Sequence, residues 1–389
     1  MTLYIEELSH GAEPNYRKAL IMKNSFGSSV IITLFGESHG AAIGAVIDGI
    51  APGIRVGEEF ISHQLELRKP YGSISTPRRE ADEFQIISGV FEGRTTGTPI
   101  CIMIPNTNQN SRDYKSERNL ARPGHADYTA HLKYQGYEDY RGGGHFSGRI
   151  TAALVAAGAV CISALREKGI SIGTHIARLG GISDRGFGIN DEDLASDIAY
   201  LNERKFAALD EQKAEAMQNA IREAAADGDS IGGILETAVI GLPAGTGEPW
   251  FDTLEGVISH GIFSIPGIKG VQFGGGFDLA DERGSVYNDE LRMQEDRVVS
   301  LTNNNGGING GISNGMPIIF RSAVKPTPSI HKEQKTIDLI RREDAIIKVG
   351  GRHDPAIIHR ARVVVDSMTA LAIADQLAQR FGTDWLRAE

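Results

Sequence analysis

GESHGAAIGAVIDGIAPG (residues 36–53) is echoed by GDSIGGILETAVIGLPAG (residues 228–245). In both copies a G-x-S-x-G opening runs into a mostly apolar segment. Each segment ends in a glycine-bounded turn that contains proline, Gly49 to Gly53 in one copy and Gly241 to Gly245 in the other. A second pair follows in the same order. GVFEGRTTGTPI (89–100) and GINGGISNGMPI (307–318) share G-x3-G-x3-G-x-P-I. Two matched pairs in one order mark an internal duplication. The two similar halves are expected at roughly 25–140 and 220–330, each built from paired strands and a helix.

Working outward, β-branched alternation and Gly/Pro punctuation predict strands at 29–35, 43–48, 84–89, 99–104, 233–240 and 316–324. Helices are expected at 57–69, 145–168, 208–226, 251–263 and 366–381. In the second of these, Ile150, Leu154, Ala157, Cys161 and Leu165 form one apolar face. The class is mixed α and β, with sheets and helices in layers.

G-x-S-x-G is also the pattern of a hydrolase nucleophile elbow, with Ser38 as nucleophile. The duplication argues for a different reading. Ser38 has a counterpart in Ser230, so the serine belongs to the turn, whereas His39 faces Ile231 in the second copy. The side chain that breaks the internal symmetry is the better functional candidate. An elbow also leads into a helix, and AAIGAVID reads as a strand. A serine hydrolase remains the alternative enzyme class.

The chain has 389 residues, 41% hydrophobic and 23% charged, the composition of a soluble globular protein with a large core. Its formal charge of −10 argues against a general nucleic-acid or membrane-surface role. Cys101 and Cys161 both sit in apolar runs and read as buried free thiols. No apolar run is expected to reach the roughly 18 residues of a membrane span, and residues 1–21 lack a signal-peptide core. A cytoplasmic location is expected.

Several glycine-rich segments carry basic groups. LARPGHADYTA (120–130) holds Arg122 and His125, and YRGGGHFSGRITAAL (140–154) brings Ser147 and Arg149 to a helix start suited to anions. LTNNNGGINGGISNGM (301–316) suits either a tight bend against a flat ligand or an ordinary turn cluster. RSAVKPTPSI (321–330) sets Lys325 beside Thr327 and Ser329, and GGRHDPA (350–356) packs Arg352, His353 and Asp354. Singly, each also reads as a capped turn, a solvated lysine or a surface ion pair. No spacing fits zinc, and neither a Walker loop nor a Rossmann fingerprint is present. Together the segments point to one composite site for a polyanionic ligand.

FGESHG, RPGHADYT, YRGGG, GDSIGG…GLPAG, NNNGGINGGISNG, KPTPSI and GRHDP resemble, in order, the motifs of the chorismate synthase family over about residues 23–380. The resemblance implies an α+β fold, a β-α-β sandwich with internal pseudo-two-fold duplication, assembled as a homotetramer. It implies elimination of phosphate from 5-enolpyruvylshikimate 3-phosphate to give chorismate in aromatic amino acid biosynthesis, using reduced FMN without net redox change. By position, His39 would protonate the departing phosphate, His125 would stand near flavin N1, and Asp354 would help flavin N5 act as base. Arg122, Ser147, Asn303, Asn304, Lys325, Thr327 and Ser329 would line FMN. Arg149 and Arg352 would hold the substrate's anionic groups.

Departures from the family pattern concern the arginines. LRKPYGSISTPRRE (67–80) has Lys69 where arginine is common and lacks a middle arginine, which leaves Lys69, Arg78 and Arg79 as substrate-side candidates. His145 replaces the first arginine after the glycines. Residues 1–21 precede the usual start of the family, Met22 being an alternative initiator, and residues 22–389 read as one domain. With no NADPH fingerprint, an external flavin reductase is expected as partner, the alternative being intrinsic NADPH use. A protein that binds FMN or polyanions without turnover is the non-enzymatic alternative.

Overall fold

The computed structural model describes residues 23–76, 81–107, 119–189, 191–351 and 353–387. Two five-stranded antiparallel sheets enclose a layer of helices. The first sheet contains β1 (Ser25–Phe26), β2 (Ile31–Gly36), β3 (Ala42–Asp48), β4 (Gln85–Ser88) and β5 (Ile100–Pro105) in the order β1-β2-β3-β5-β4. The second contains β6 (Ser171–Leu179), β7 (Ile182–Ser183), β8 (Gly233–Ile240), β9 (Ile268–Phe273) and β10 (Ile318–Val324) in the order β9-β10-β8-β6-β7.

The duplicated segments occupy equivalent strands in equivalent register. Ile47 pairs with Ile100, and their counterparts Val239 and Ile318 pair with each other. Ile43 opposite Ile104 is repeated by Leu235 opposite Ser322. Alternation decides which side faces inward. Ile100, Ile102 and Ile104 are buried along β5, as are Ile318, Phe320, Ser322 and Val324 along β10. A one-residue slip in either sheet would expel its whole inward row.

The helices in chain order are α1 (Glu58–Arg68), α2 (Asp127–Tyr134), α3 (Thr151–Glu167), α4 (Asp191–Asn202), α5 (Glu211–Ala226), α6 (Leu254–Ser264) and α7 (Ile358–Phe381). α3 and α7 pack on each other between the sheets, with α1 and α6 beside them. Gly158 sets their separation, because a Cβ there would stand 2.3 Å from Cβ of Ser367. α4 covers the outer face of the second sheet, where Leu194 and Ile198 pack with Ala238 and Ile240.

Two helices differ from expectation. The span predicted at 145–168 becomes helix only at Thr151, because Gly142, Gly143 and Gly144 take φ of 58°, 82° and 53° and form a turn instead. Residues 148–167 are long and apolar enough to cross a membrane, yet they lie mostly buried inside the fold. α7 starts eight residues before the predicted 366, since its Val363-Val364-Val365 run is a buried helical stretch with the look of a strand. β6, β9, α2 and α4 were not expected.

Several polar groups inside this layer are paired. Arg362 and Asp366 bridge at 3.0 Å along α7, and Thr174 of β6 donates to Asp366 at 2.6 Å. Asp375 accepts the backbone N–H groups of Ser28, Ser29 and Val30, which fixes the entry to β2. In the second half, His175 is fully buried between Asp184 (3.3 Å) and Glu236 (3.0 Å). Burial pushes its pKa down, but the two carboxylates outweigh burial and raise it, which favours the imidazolium form.

Candidate active site

At one end of the sandwich the β2–β3 turn, the glycine turn at 141–148, the 119–131 segment, the end of β10 and the start of α7 enclose a cavity of about 1060 Å³. The G-E-S-H-G turn is fixed by its neighbours. Ser38 N–H donates to the Gly144 carbonyl at 3.0 Å, and Asn106 Nδ2 donates to the carbonyls of Glu37 and Gly40, both at 3.0 Å. His145 lies 2.8 Å from the Gly36 carbonyl, which can only accept, so its Nδ1 carries the proton. His39 is 4% exposed, and Gly142 lies directly over its ring.

The opposite wall is cationic. Arg122 grips Asp127 with both edges of its fork at 2.8 Å. Burial raises the Asp127 pKa, but Arg122 wins and holds it below the usual carboxylate range. His125 lies between this pair and Ser329, with Nε2 2.7 Å from Ser329 Oγ. Burial, followed by the charge of Arg122, pushes the His125 pKa down to about 4. Its imidazole is therefore neutral near pH 7, able to donate at one nitrogen and accept at the other.

Lys325 donates to the Gly124 carbonyl at 2.5 Å, and burial plus the nearby Lys269 lower its pKa. Thr327 Oγ1 is buried with no hydrogen-bond partner among the described residues. Ser230, the counterpart of Ser38, donates to the Thr327 carbonyl at 2.6 Å. The second copy of the turn thus positions the KPTPS segment.

Asp354 closes the third side. Its Oδ1 accepts Thr76 N–H at 2.8 Å, and Oδ2 bonds Arg360, whose Nε donates to the Arg68 carbonyl at 2.9 Å. Arg149 meets Asp82 and places Nε 3.1 Å from Asn106 Oδ1. Ser147 Oγ accepts Arg149 N–H at 3.3 Å, and Lys69 pairs with Glu66 at 2.9 Å on the rim.

The cavity thus brings together Ser147, Arg149, Arg122, His125, Lys325, Thr327, Ser329, Asp354 and Lys69; His39 is not among its lining residues but packs against Gly142, which is. Asn303 and Asn304 stand outside it. Asn303 Nδ2 donates to the Pro317 carbonyl and Asn304 Nδ2 to the Tyr287 carbonyl, both at 2.8 Å, so these amides brace a turn. Arg78, Arg79 and Arg352, together with residues 1–21, lie outside the described residues.

Sequence reasoning missed Arg68, Asp82, Lys269 and Arg360, all in the cavity wall. Arg68 had a weak signal beside Lys69. The other three lie on segments with no motif of their own.

The cavity draws on both halves of the duplication, and most of the chain matches known proteins. A family model described as chorismate synthase matches residues 30–378. The chorismate synthase of Thermococcus kodakarensis is 44% identical over 354 residues, spanning 91% of this chain and 97% of the relative. That of Dehalococcoides mccartyi is 44% identical over 362 residues, covering 93% and 98% of the two chains. Among solved structures, a chorismate synthase crystal structure superposes with a TM-score of 0.73 at 31% identity, covering 92% of this chain and 94% of the other. This protein belongs to the chorismate synthase family.

Proposed function

We propose that this chain catalyses the 1,4-anti elimination of phosphate and a ring proton from 5-enolpyruvylshikimate 3-phosphate, giving chorismate, with reduced FMN as cofactor. The observation that carries the reading is the meeting of a neutral, hydrogen-bonded His125 with Arg122, Arg149, Lys269 and Lys325 in one cavity. A substrate bearing two carboxylates and a phosphate calls for such a cationic wall.

The donor set fits FMN. The partnerless Thr327 hydroxyl, beside Lys325 and Lys269, suits a phosphate, and Ile268, Leu339 and Val364 offer apolar surface to a flat ring. Lys325, Thr327 and Ser329 would hold the phosphate, with Arg122 and Ser147 nearer the ring. Asn303 and Asn304 do not line this cavity, and Asn303 Oδ1 is buried without a partner among the described residues. When bound, reduced flavin supplies the transient electron donation that a concerted base-driven elimination lacks.

In this reading His39 donates a proton to the departing phosphate oxygen. His125 holds its proton at one ring nitrogen and offers a hydrogen bond to the cofactor, while Ser329 fixes its orientation. Asp354, fixed by Thr76 and Arg360, orients the group that removes the ring proton. Arg149, and Lys69 at the rim, bind substrate anions.

The protein is proposed to act as a cytoplasmic homotetramer served by an external flavin reductase. Exposed Trp250 (85%), Phe251 (94%) and Phe277 (83%) support assembly.

The deciding assay is phosphate release under anaerobic conditions with chemically reduced FMN. Folded protein that releases no phosphate from 5-enolpyruvylshikimate 3-phosphate overturns the proposal.

A further inference from the structure

Arg68, Asp82 and Arg149 form a buried cluster in the cavity wall. Asp82 Oδ1 bonds Arg149 Nη1, and Oδ2 lies 3.5 Å from Arg68 Nη1. The Asp82 side chain is 1% exposed and each guanidinium-bearing side chain 6%. Other acceptors also hold both arginines. Arg68 donates from Nε to Thr151 Oγ1 at 2.9 Å and from Nη2 to the Gly148 carbonyl at 2.8 Å. Arg149 donates from Nε to Asn106 Oδ1 at 3.1 Å. These contacts fix the forks without help from Asp82 and leave their Nη1 corners converging on one carboxylate.

Asp82 itself is held in an unfavourable backbone state. Its φ is +53°, a region that disfavours residues with a Cβ. Buried guanidinium groups are costly without a counter-charge, and Asp82 supplies one.

We infer that Asp82 is the resident counter-ion of an oxyanion subsite formed by Arg68 and Arg149, and that an incoming anionic ligand displaces it. Displacement exchanges one carboxylate for another oxyanion on the same two corners and lets residue 82 leave its left-handed conformation. Asp82 thus compensates one of the two positive charges at rest, and the subsite selects ligands able to compete with an internal carboxylate. From the proposed function this takes only that the ligand is anionic.

The test uses the full chain and inorganic phosphate as probe, followed by calorimetry, so it does not depend on turnover. Removing the internal competitor raises the fraction of open subsite. Asp82→Asn is expected to bind phosphate at least about tenfold more tightly than the parent. Adding Arg68→Met to Asp82→Asn should abolish that gain. Unchanged or weaker binding by Asp82→Asn overturns the proposal, as does a gain that survives in the double variant. A measurement on the unsubstituted protein guards against a variant that fails to fold. Phosphate should speed amide hydrogen exchange at residues 82–84, and unchanged or slower exchange there overturns the displacement. If phosphate binds as expected while the elimination assay fails, the subsite stands and the assigned reaction falls.

Discussion

A Cβ built on Gly142 would stand 2.2 Å from Cε1 and 2.3 Å from Nδ1 of His39. Glycine alone fits over this imidazole, and its φ of +58° adds a second reason. Gly142→Ala must therefore move the ring. Phosphate release should fall by about 10²–10⁴-fold, as for His39→Ala, the range for loss of a positioned proton donor. Retained turnover in Gly142→Ala would show that His39 has no such role.

Ser38 provides the contrast. Its backbone N–H carries the link to Gly144 and survives substitution. Ser38→Ala should leave phosphate release within about fivefold of the parent, the size of one neutral hydrogen bond. A loss as deep as that of His39→Ala would favour the hydrolase reading.

Thr327→Val separates binding from stability. The variant deletes a buried hydroxyl with no described partner. The ligand-free protein should melt at the same temperature or higher, while FMN should bind about tenfold or more weakly, as for a lost hydrogen bond to a charged group. Fluorescence titration and a thermal melt read the two effects, and unchanged FMN affinity would remove Thr327 from the cradle.

His125 and His359 define an acid limb. Burial is the leading cause for both and lowers each pKa from 6.5 to about 4. The unfolded chain thus binds protons between these values that the folded chain refuses. Stability from these groups is complete above pH 6.5 and declines as the pH falls towards 4, by on the order of 3 kcal/mol for each. His359→Gln keeps a partner for Ser75, 2.7 Å away in the parent, and should flatten part of that slope in pH-dependent melts. An unaltered slope would refute the assignment.

His175 behaves in the opposite sense. Its raised pKa means that its contribution is complete below 6.5 and is lost as the pH rises through the folded-state value. His175→Leu removes one partner from each of the buried Asp184 and Glu236, which keep backbone N–H donors and, for Glu236, Arg321, and should cost about 1–3 kcal/mol in denaturant unfolding. Activity per folded molecule should hold, because the cluster lies outside the cavity. A stable His175→Leu protein would contradict the buried ion cluster.

Much of the fold was legible because the duplication marks β3, β5, β8 and β10, and turn glycines and prolines bound them. β6 and α7 were harder to read. SIGTHIARL mixes buried polar residues into its alternation, and Val363-Val364-Val365 carries a strand-like pattern inside a helix. Propensity yields there to tertiary burial. In the site, His39 was legible through the symmetry it breaks. Asp82 was not, since its meaning comes from two arginines that only the folded chain brings to it. Asn303 and Asn304 lie outside the cavity, where their Nδ2 groups bond the Pro317 and Tyr287 carbonyls.

The contact of Gly158 with Ser367 has a consequence for heredity. Duplicated halves usually drift apart, each accepting substitutions on its own account. Here His39, the proposed proton donor, sits in one half and the Lys325–Ser329 segment, the proposed phosphate grip, follows the last strand of the other. The backbone contact at Gly158 acts as a spacer gauge between them. A side chain added at that point would widen the gap across which the two halves cooperate, so neither can change thickness without the other.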